Sequence, residues 1–467
     1  MAYSASVSAT AAEAFLKICT ACRLELSMHP DGVKSLIQLT EGAIERFPEA
    51  EDEARSAPRG AASFPTQARV SIVQGVARVA SCMPVEACTE TLAALLNPAI
   101  SRLRQAVEDC SSAMVVKELE SLRTAVSFLV TSNKHVESAG EHPVAHILHG
   151  TLPILERIYS VSALQMDGEV VSAMYGLLST SFVCARHVLA PHLDSLLRTA
   201  INHFKATHSP CCITCVGKAV EIFAGESIES SAAFSPLFDG MVEAVVEAIR
   251  AGHTTSNPEI IDAFFRTAQL FLLFAPTALF QPQSNISPGT SPIEIVMQII
   301  IKCVASDELT STRSLLLFLS TLLTRFSDTR YSAFKPVFDA AVSRHGSAMV
   351  EQMLIGLAAS TPAGLTSRQA QALADVTIMY TGQIQGWVYN ALVNNPKTFV
   401  SVPNQVKEAF VSTVPELAAL VSKAREVFTK FGMLAREQMS SGDFLSFLSE
   451  ARRAVADLHV PPGEVID

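Results

Sequence analysis

The sequence is poor in charge and has no long apolar run, and each shortage excludes a class of protein. Asp, Glu, Lys and Arg together make up 17% of its 467 residues. Basic residues number 35 against 45 acidic ones, for a net charge of −10. No dense Lys/Arg run is present to neutralise a row of phosphates, so nucleic acid is not the expected partner. A membrane-spanning helix needs roughly 20 unbroken apolar residues. The best stretch, Ala268 to Phe280, is shorter and holds Pro276, while Ile293 to Ala305 carries Glu294, Gln298 and Lys302. The opening MAYSASVSATAAEAFLK lacks the basic and apolar regions of a secretory leader. A soluble, intracellular chain with no membrane insertion is therefore expected.

Catalytic signatures are missing as well. There is no nucleophile elbow, Gly-rich phosphate loop, HExxH pair or kinase motif. No enzyme activity and no cofactor are expected. Disorder is excluded as the general state by 49% hydrophobic residues and a mean hydropathy of +0.30.

What is abundant is the three-to-four spacing of amphipathic helices. Leu417, Leu420, Val421, Ala424, Val427, Phe428, Phe431 and Leu434 form one stripe along a C-terminal helix. Leu315, Leu316, Leu319, Leu322, Leu323 and Phe326 form another, entered through Asp307 as N-cap. Such stripes need a partner helix to cover them. Pro-containing punctuation recurs at 29–32, 83–86, 142–143, 190–192, 208–210, 256–259, 275–277, 360–364, 394–396, 402–403 and 414–415. Its spacing of roughly 15–25 residues is one helix plus a turn of a HEAT-type array. The pattern predicts an all-α, superhelical, HEAT-repeat-like solenoid of about ten antiparallel helix pairs, running as one array over residues 1–467. Two polar, breaker-rich stretches, 48–65 and 281–292, are expected to be flexible loop insertions.

Few residues invite a chemical reading. His203, His208, Cys211, Cys212 and Cys215 look zinc-like, but no second ligand pair follows at set spacing. Cys212 and Cys215 lie three apart on the apolar face of an expected helix, so packing is the expected role and no metal is assigned. Cys19 and Cys22 read the same way. The ten cysteines as a whole are expected to be reduced and mostly buried. Trp387, the one tryptophan, has Ile384, Val388 and Leu392 at helical spacing and is expected in the core. Glu49, Glu51, Asp52 and Glu53 form an acidic cluster in an expected loop. They are the candidate partner-binding residues, suited to a basic segment.

Several stretches together resemble a known family. AAEAFLKICTACRLEL, with its paired cysteines, and QARVSIVQGVARVASCMPVEACTETLAALL look like successive helices midway through nuclear transport receptors of the importin-β superfamily. EIIDAFFRTAQLFLLFAPTALF is similar to an acidic–aromatic–Arg helix ended by proline, here Asp262, Phe264, Phe265, Arg266 and Pro276. HGSAMVEQMLIGLAASTPAGL and GWVYNALV resemble the last repeats, with Pro362 and Trp387 in matching places. The likeness is to the transportin-SR and importin-thirteen branch, C-terminal half, and is collinear over nearly the whole chain.

The resemblance implies a receptor that carries protein cargo, binds the GTPase Ran, touches Phe-Gly segments of nucleoporins and shuttles between cytoplasm and nucleus, with import as the expected direction. It also implies that the chain begins mid-array, outside the family's main Ran-binding repeats. That branch reads phosphorylated Arg-Ser cargo with an arginine-studded helix. The matching helix here, DGEVVSAMYGLLSTSFVCAR, shows Glu169, Ala173, Gly176 and Ser179, and its one arginine is Arg186. Phosphate recognition does not carry over, because arginine supplies the fork that grips phosphate oxygens. Two other readings compete: a HEAT or armadillo scaffold unrelated to Ran, and a helical enzyme whose polar groups converge from distant repeats.

Overall fold

The computed structural model describes residues 5–29, 32–35, 37–38, 64–129, 143–225, 233–281, 290–326 and 328–457. Among these residues every regular element is helical. The helices fall into two compact units, residues 1–223 and 224–467.

The long helices of the first unit are α1 (Ala5–Ala21), α2 (Phe64–Ala80), α3 (Val85–Glu108), α4 (Ser112–Ser127), α5 (Pro143–Ser160), α6 (Gly168–Cys184), α7 (Leu193–Thr207) and α8 (Pro210–Phe223). α2, α4, α6 and α8 touch in succession as one row, and α3 and α5 pack together as a second. α6, in the middle of its row, buries residues all around its axis, from Val170 to Cys184. That explains why it carries so little polar surface. Asp167 caps it, accepting from the backbone N–H groups of Glu169 and Val170.

The second unit contains α9 (Ser235–Arg250), α10 (Glu259–Phe274), α11 (Pro292–Cys303), α12 (Leu309–Arg325), α13 (Lys335–Ile355), α14 (Thr366–Met379), α15 (Thr381–Asn394), α16 (Asn404–Thr413), α17 (Val421–Ala435) and α18 (Ser441–Asp457). Here the front row is α10, α12, α14 and α17, and the back row is α9, α11, α13, α15 and α16. Two hydrogen bonds join α10 to α12 at the same sequence offset of 52: Ser314 to Asp262, and Gln269 to Thr321 at 3.2 Å. An equal offset at both points means that these neighbours run parallel, as alternate helices of a HEAT stack must. Within the back row, Arg344 of α13 donates to both carboxylate oxygens of Glu294 on α11 at 2.7 Å.

Proline punctuation sits where expected. Pro84, Pro258 and Pro403 are the N-caps of α3, α10 and α16, and Pro143, Pro210 and Pro292 open α5, α8 and α11. A proline there loses no hydrogen bond that the helix needs. The N-cap of α12 is Glu308 rather than Asp307; its carboxylate accepts from Ser311 N–H at 2.6 Å. The C-terminal stripe is not one helix either. Leu417 lies in a 3₁₀ turn (Glu416–Ala419), the backbone leaves helical geometry at Leu420, and Val421 is exposed. Pro415 opens that turn, so the leucine spacing crosses a break it cannot reveal. The expected loop 48–65 lies outside the described residues except for Phe64 and Pro65, which open α2, and most of 281–292 lies outside them too. No described helix is long and apolar enough to cross a membrane.

One buried acid makes the second unit pH-sensitive. Asp239, in the second turn of α9, is 4% exposed and its Oδ2 has no hydrogen-bond partner among the described residues. Burial pushes its carboxyl up to about 6. Between the ordinary carboxyl value near 4 and 6, the folded chain therefore holds more protons than the unfolded one. Stability falls as pH rises through that window and is level above it. Asp239→Asn is expected to stabilise the protein at pH 7 by about 1–2 kcal/mol and to flatten the slope. Urea unfolding at pH 5 and pH 7 measures both effects.

Candidate partner-binding groove

The back row of the second unit ends in a groove. α15 buries Ile384, Val388, Ala391 and Leu392, and it packs on α13. That contact is close: at Gly346 a Cβ would stand 2.7–3.0 Å from the Trp387 ring, so only glycine admits the indole there. Trp387 is accordingly half-buried between two helices, less enclosed than the core position its neighbours' spacing suggests.

The opposite side of α15 carries Gln385, Tyr389 and Val393 at helical spacing. Tyr389 and Val393 are 56% and 54% exposed, although both are apolar enough to belong inside. They face α16, which contributes Asn404, Lys407, Glu408, Val411 and Ser412. Between the two helices lies a groove of about 540 Å³, with Leu392 and Val411 nearly buried at its base. The size falls within the range of small-ligand pockets, and the wall chemistry is an apolar floor under a polar rim.

The connector 395–403 holds the groove open. Asn395 donates its side-chain amide to Glu351 and to the Ala391 carbonyl, both at 2.9 Å, fixing the end of α15. Ser401 donates to the Ala435 carbonyl at 2.9 Å, and Phe399 and Val402 are buried. Beneath α16, Phe410 stacks on Phe431 with centroids 4.1 Å apart, and Phe428 and Phe444 close around the pair. The walls are thus positioned before any ligand arrives, which lowers the entropy cost of binding.

The residues singled out in the sequence lie elsewhere. Glu49, Glu51, Asp52 and Glu53 are outside the described residues. Cys19 is buried but Cys22 is exposed, so only the first packs as expected. On α6, Ala173 is buried and the Gly176 position is covered from α4 by Arg123, whose Nη1 stands 3.2 Å from a Cβ built there.

The histidine–cysteine cluster comes together at α6, α7 and α8 without forming a metal centre. His203 is buried, with Nδ1 3.0 Å from the Tyr175 hydroxyl and Nε2 2.9 Å from the Gln165 carbonyl. The carbonyl can only accept, so Nε2 carries the proton and Nδ1 accepts from Tyr175. Both ring nitrogens are used and no lone pair is left for a metal. Burial lowers the His203 pKa and keeps the ring neutral. Among the described residues no set of three or more His, Cys, Asp or Glu side chains is arranged to hold a metal ion.

No family model matches the sequence. Among solved structures, the chain is similar to importin 13 in its cytosolic state, with a TM-score of 0.71 and 14% sequence identity. The alignment covers 93% of this chain and 46% of importin 13, so the chain spans about half the length of that receptor. At this identity the likeness is one of fold: an importin-β-like, all-α HEAT solenoid.

Proposed function

We propose that the chain acts as a segment of a nuclear transport receptor. It carries protein cargo in a Ran-dependent cycle, most simply import, and shuttles between cytoplasm and nucleus. The observation supporting this most directly is the preformed apolar groove between α15 and α16, set on an importin-β-like fold. Its shape suits a lone aromatic side chain on an extended polar peptide, which is the chemistry of a nucleoporin Phe-Gly segment. The phenyl ring would enter over Leu392 and Val411 beside the Tyr389 ring, while Gln385, Asn404 and Lys407 meet the peptide backbone. A single ring gives weak, fast-exchanging binding, as passage through a pore requires.

Cargo and Ran would occupy other faces of the stacks. Each helix pair touches only its neighbours, so small rotations accumulate along a unit. A ligand favouring one curvature lowers the affinity of a ligand favouring another, and reciprocity follows from linkage. The reading involves no catalysis, cofactor or nucleic acid.

Tyr389→Ala is expected to weaken a fluorescent Phe-Gly peptide at least fivefold in anisotropy titrations and to leave the unfolding curve unchanged, because Tyr389 is more than half exposed. A Ser-Gly peptide of equal length should not bind. Equal binding of both peptides, or no effect of the substitution, would remove the transport reading of this groove. Pull-down of the full-length protein by GTP-locked and GDP-locked Ran tests the rest. Indifference to the nucleotide would favour a scaffold.

A further inference from the structure

The groove between α15 and α16 has an apolar extension beyond its own wall. Tyr389, Val393 and Pro396 line it on one side. Val400 stands four residues beyond Pro396, so these positions keep the 4-3-4 spacing of one helical face. α15 ends at Asn394, but the chain goes on coiling: the N–H groups of Thr398 and Phe399 both reach the Asn395 carbonyl, at 3.2 and 3.3 Å. Residues four apart in such a turn carry side chains about 5–6 Å apart. Val400 therefore lies one step outside the groove, next to Pro396.

Val400 is 80% exposed, more than any other large apolar residue among those described. A single exposed valine is ordinary. This one is held out by its surroundings. Phe399 before it and Val402 after it are buried, the Ser401 hydroxyl donates to the Ala435 carbonyl at 2.9 Å, and the Phe399 ring rests on Phe431 with centroids 5.9 Å apart. Turning Val400 inward would pull Phe399 and Val402 out of the core. With Tyr389 and Val393, each more than half exposed, it forms an apolar strip leading out of the groove.

We propose that Val400 is a second apolar subsite of the groove, for an extended peptide that carries an aliphatic side chain four residues after its aromatic one. The spacing follows from two lengths. Leu392 on the floor to Pro396, and Pro396 to Val400, are two i,i+4 steps that together span about 12 Å. An extended chain covers about 13 Å in four residues, and residues an even number apart face the same side. A side chain three residues along points away. Because the connector is pinned beforehand, the second contact orders little besides the ligand itself. This subsite presupposes the peptide groove proposed above, and one experiment separates the two.

Three labelled peptides are titrated onto the full chain and read by fluorescence anisotropy. The first has a single Phe-Gly in a Ser/Gly background, the second adds leucine four residues after the phenylalanine, and the third places that leucine three residues after it. Partial burial of one leucine should make the second peptide bind about fivefold tighter than the first, and the third should match the first. Val400→Ser should erase the difference between the first two and Val400→Leu should keep it, with unfolding curves showing that both variants are folded. A gain that survives Val400→Ser, or an equal gain from the third peptide, overturns the subsite. So does a second peptide no tighter than the first; the groove reading then stands, because the first peptide binds. If none of the three binds, groove and subsite fall together. If Val400→Ser instead turns a dimer into a monomer by light scattering, the strip is an interface between copies of this chain and the proposal fails.

Discussion

Phe410→Ala is expected to destabilise the second unit by about 3–5 kcal/mol, the usual cost of emptying a fully buried phenylalanine site. Phe410 is 0% exposed and is the hub of a cluster in which Phe428, Phe431 and Phe444 all lie within 6.1 Å of it, centroid to centroid. These rings belong to α17 and α18, so one truncation loosens three helices together. Phe399 on the groove connector leans on Phe431 at 5.9 Å and loses its support as well. Val411, the next residue along α16, is part of the groove floor. The substitution should therefore lower the urea midpoint and weaken Phe-Gly binding together, whereas Tyr389→Ala weakens binding alone. Phe410→Leu keeps most of the volume and should cost less than half as much. Trp387, the one tryptophan, sits on α15 against α13 and reports both experiments by its own fluorescence. An unfolding curve for Phe410→Ala that matches the parent would mean that the ring cluster does not hold the groove.

The fold was legible because helical spacing and proline position are local signals. Pro84, Pro143, Pro210, Pro258, Pro292 and Pro403 mark helix starts whatever surrounds them. The groove was not legible, because its walls use the same residue types as the core. Tyr389 and Val393 differ from Ile384 and Val388 only in which side of α15 they occupy, and whether a side is covered depends on where α16 lies. Cys22 and Cys19 show the same ambiguity: both fit an apolar spacing, and one of them faces out. At the histidine–cysteine cluster, the spacing could not show that Tyr175 and the Gln165 carbonyl, 28 and 38 residues from His203, would take both ring nitrogens. Gly176 is a further case, since the arginine beside it comes from α4.

Arg436→Ala should be the second costly change, at about 3 kcal/mol, although the residue is only partly buried and forms no ion pair among the described residues. The reason lies in the chain ahead of α14. α13 ends by widening into a π-helical turn (Gly356–Ser360), and Thr361 N–H spends its hydrogen bond on the Gly356 carbonyl at 2.8 Å. The next carbonyl, on Leu357, would look one residue further for its donor in the same pattern. That residue is Pro362, which has no N–H. Arg436 fills the vacancy from the end of α17: its Nε donates to the Leu357 carbonyl at 2.7 Å, and Nη2 donates to Thr361 at 2.8 Å and to Gly356 at 3.2 Å. The site is crowded, with Gln369 donating to the Met353 carbonyl at 2.7 Å and accepting from Thr361. A planar fork can meet carbonyls pointing in different directions with donors spread from Nε to Nη2, whereas the three donors of an ammonium group radiate from one atom on a shorter reach and do not span all three carbonyls. Arg436→Lys should therefore recover less than half of the lost stability, and amide exchange should speed up first across 356–365, with the groove beyond α15 following. If lysine restored full protection there, net charge near the π turn would be the operative feature, and the matching of one guanidinium to a proline's missing donor would not.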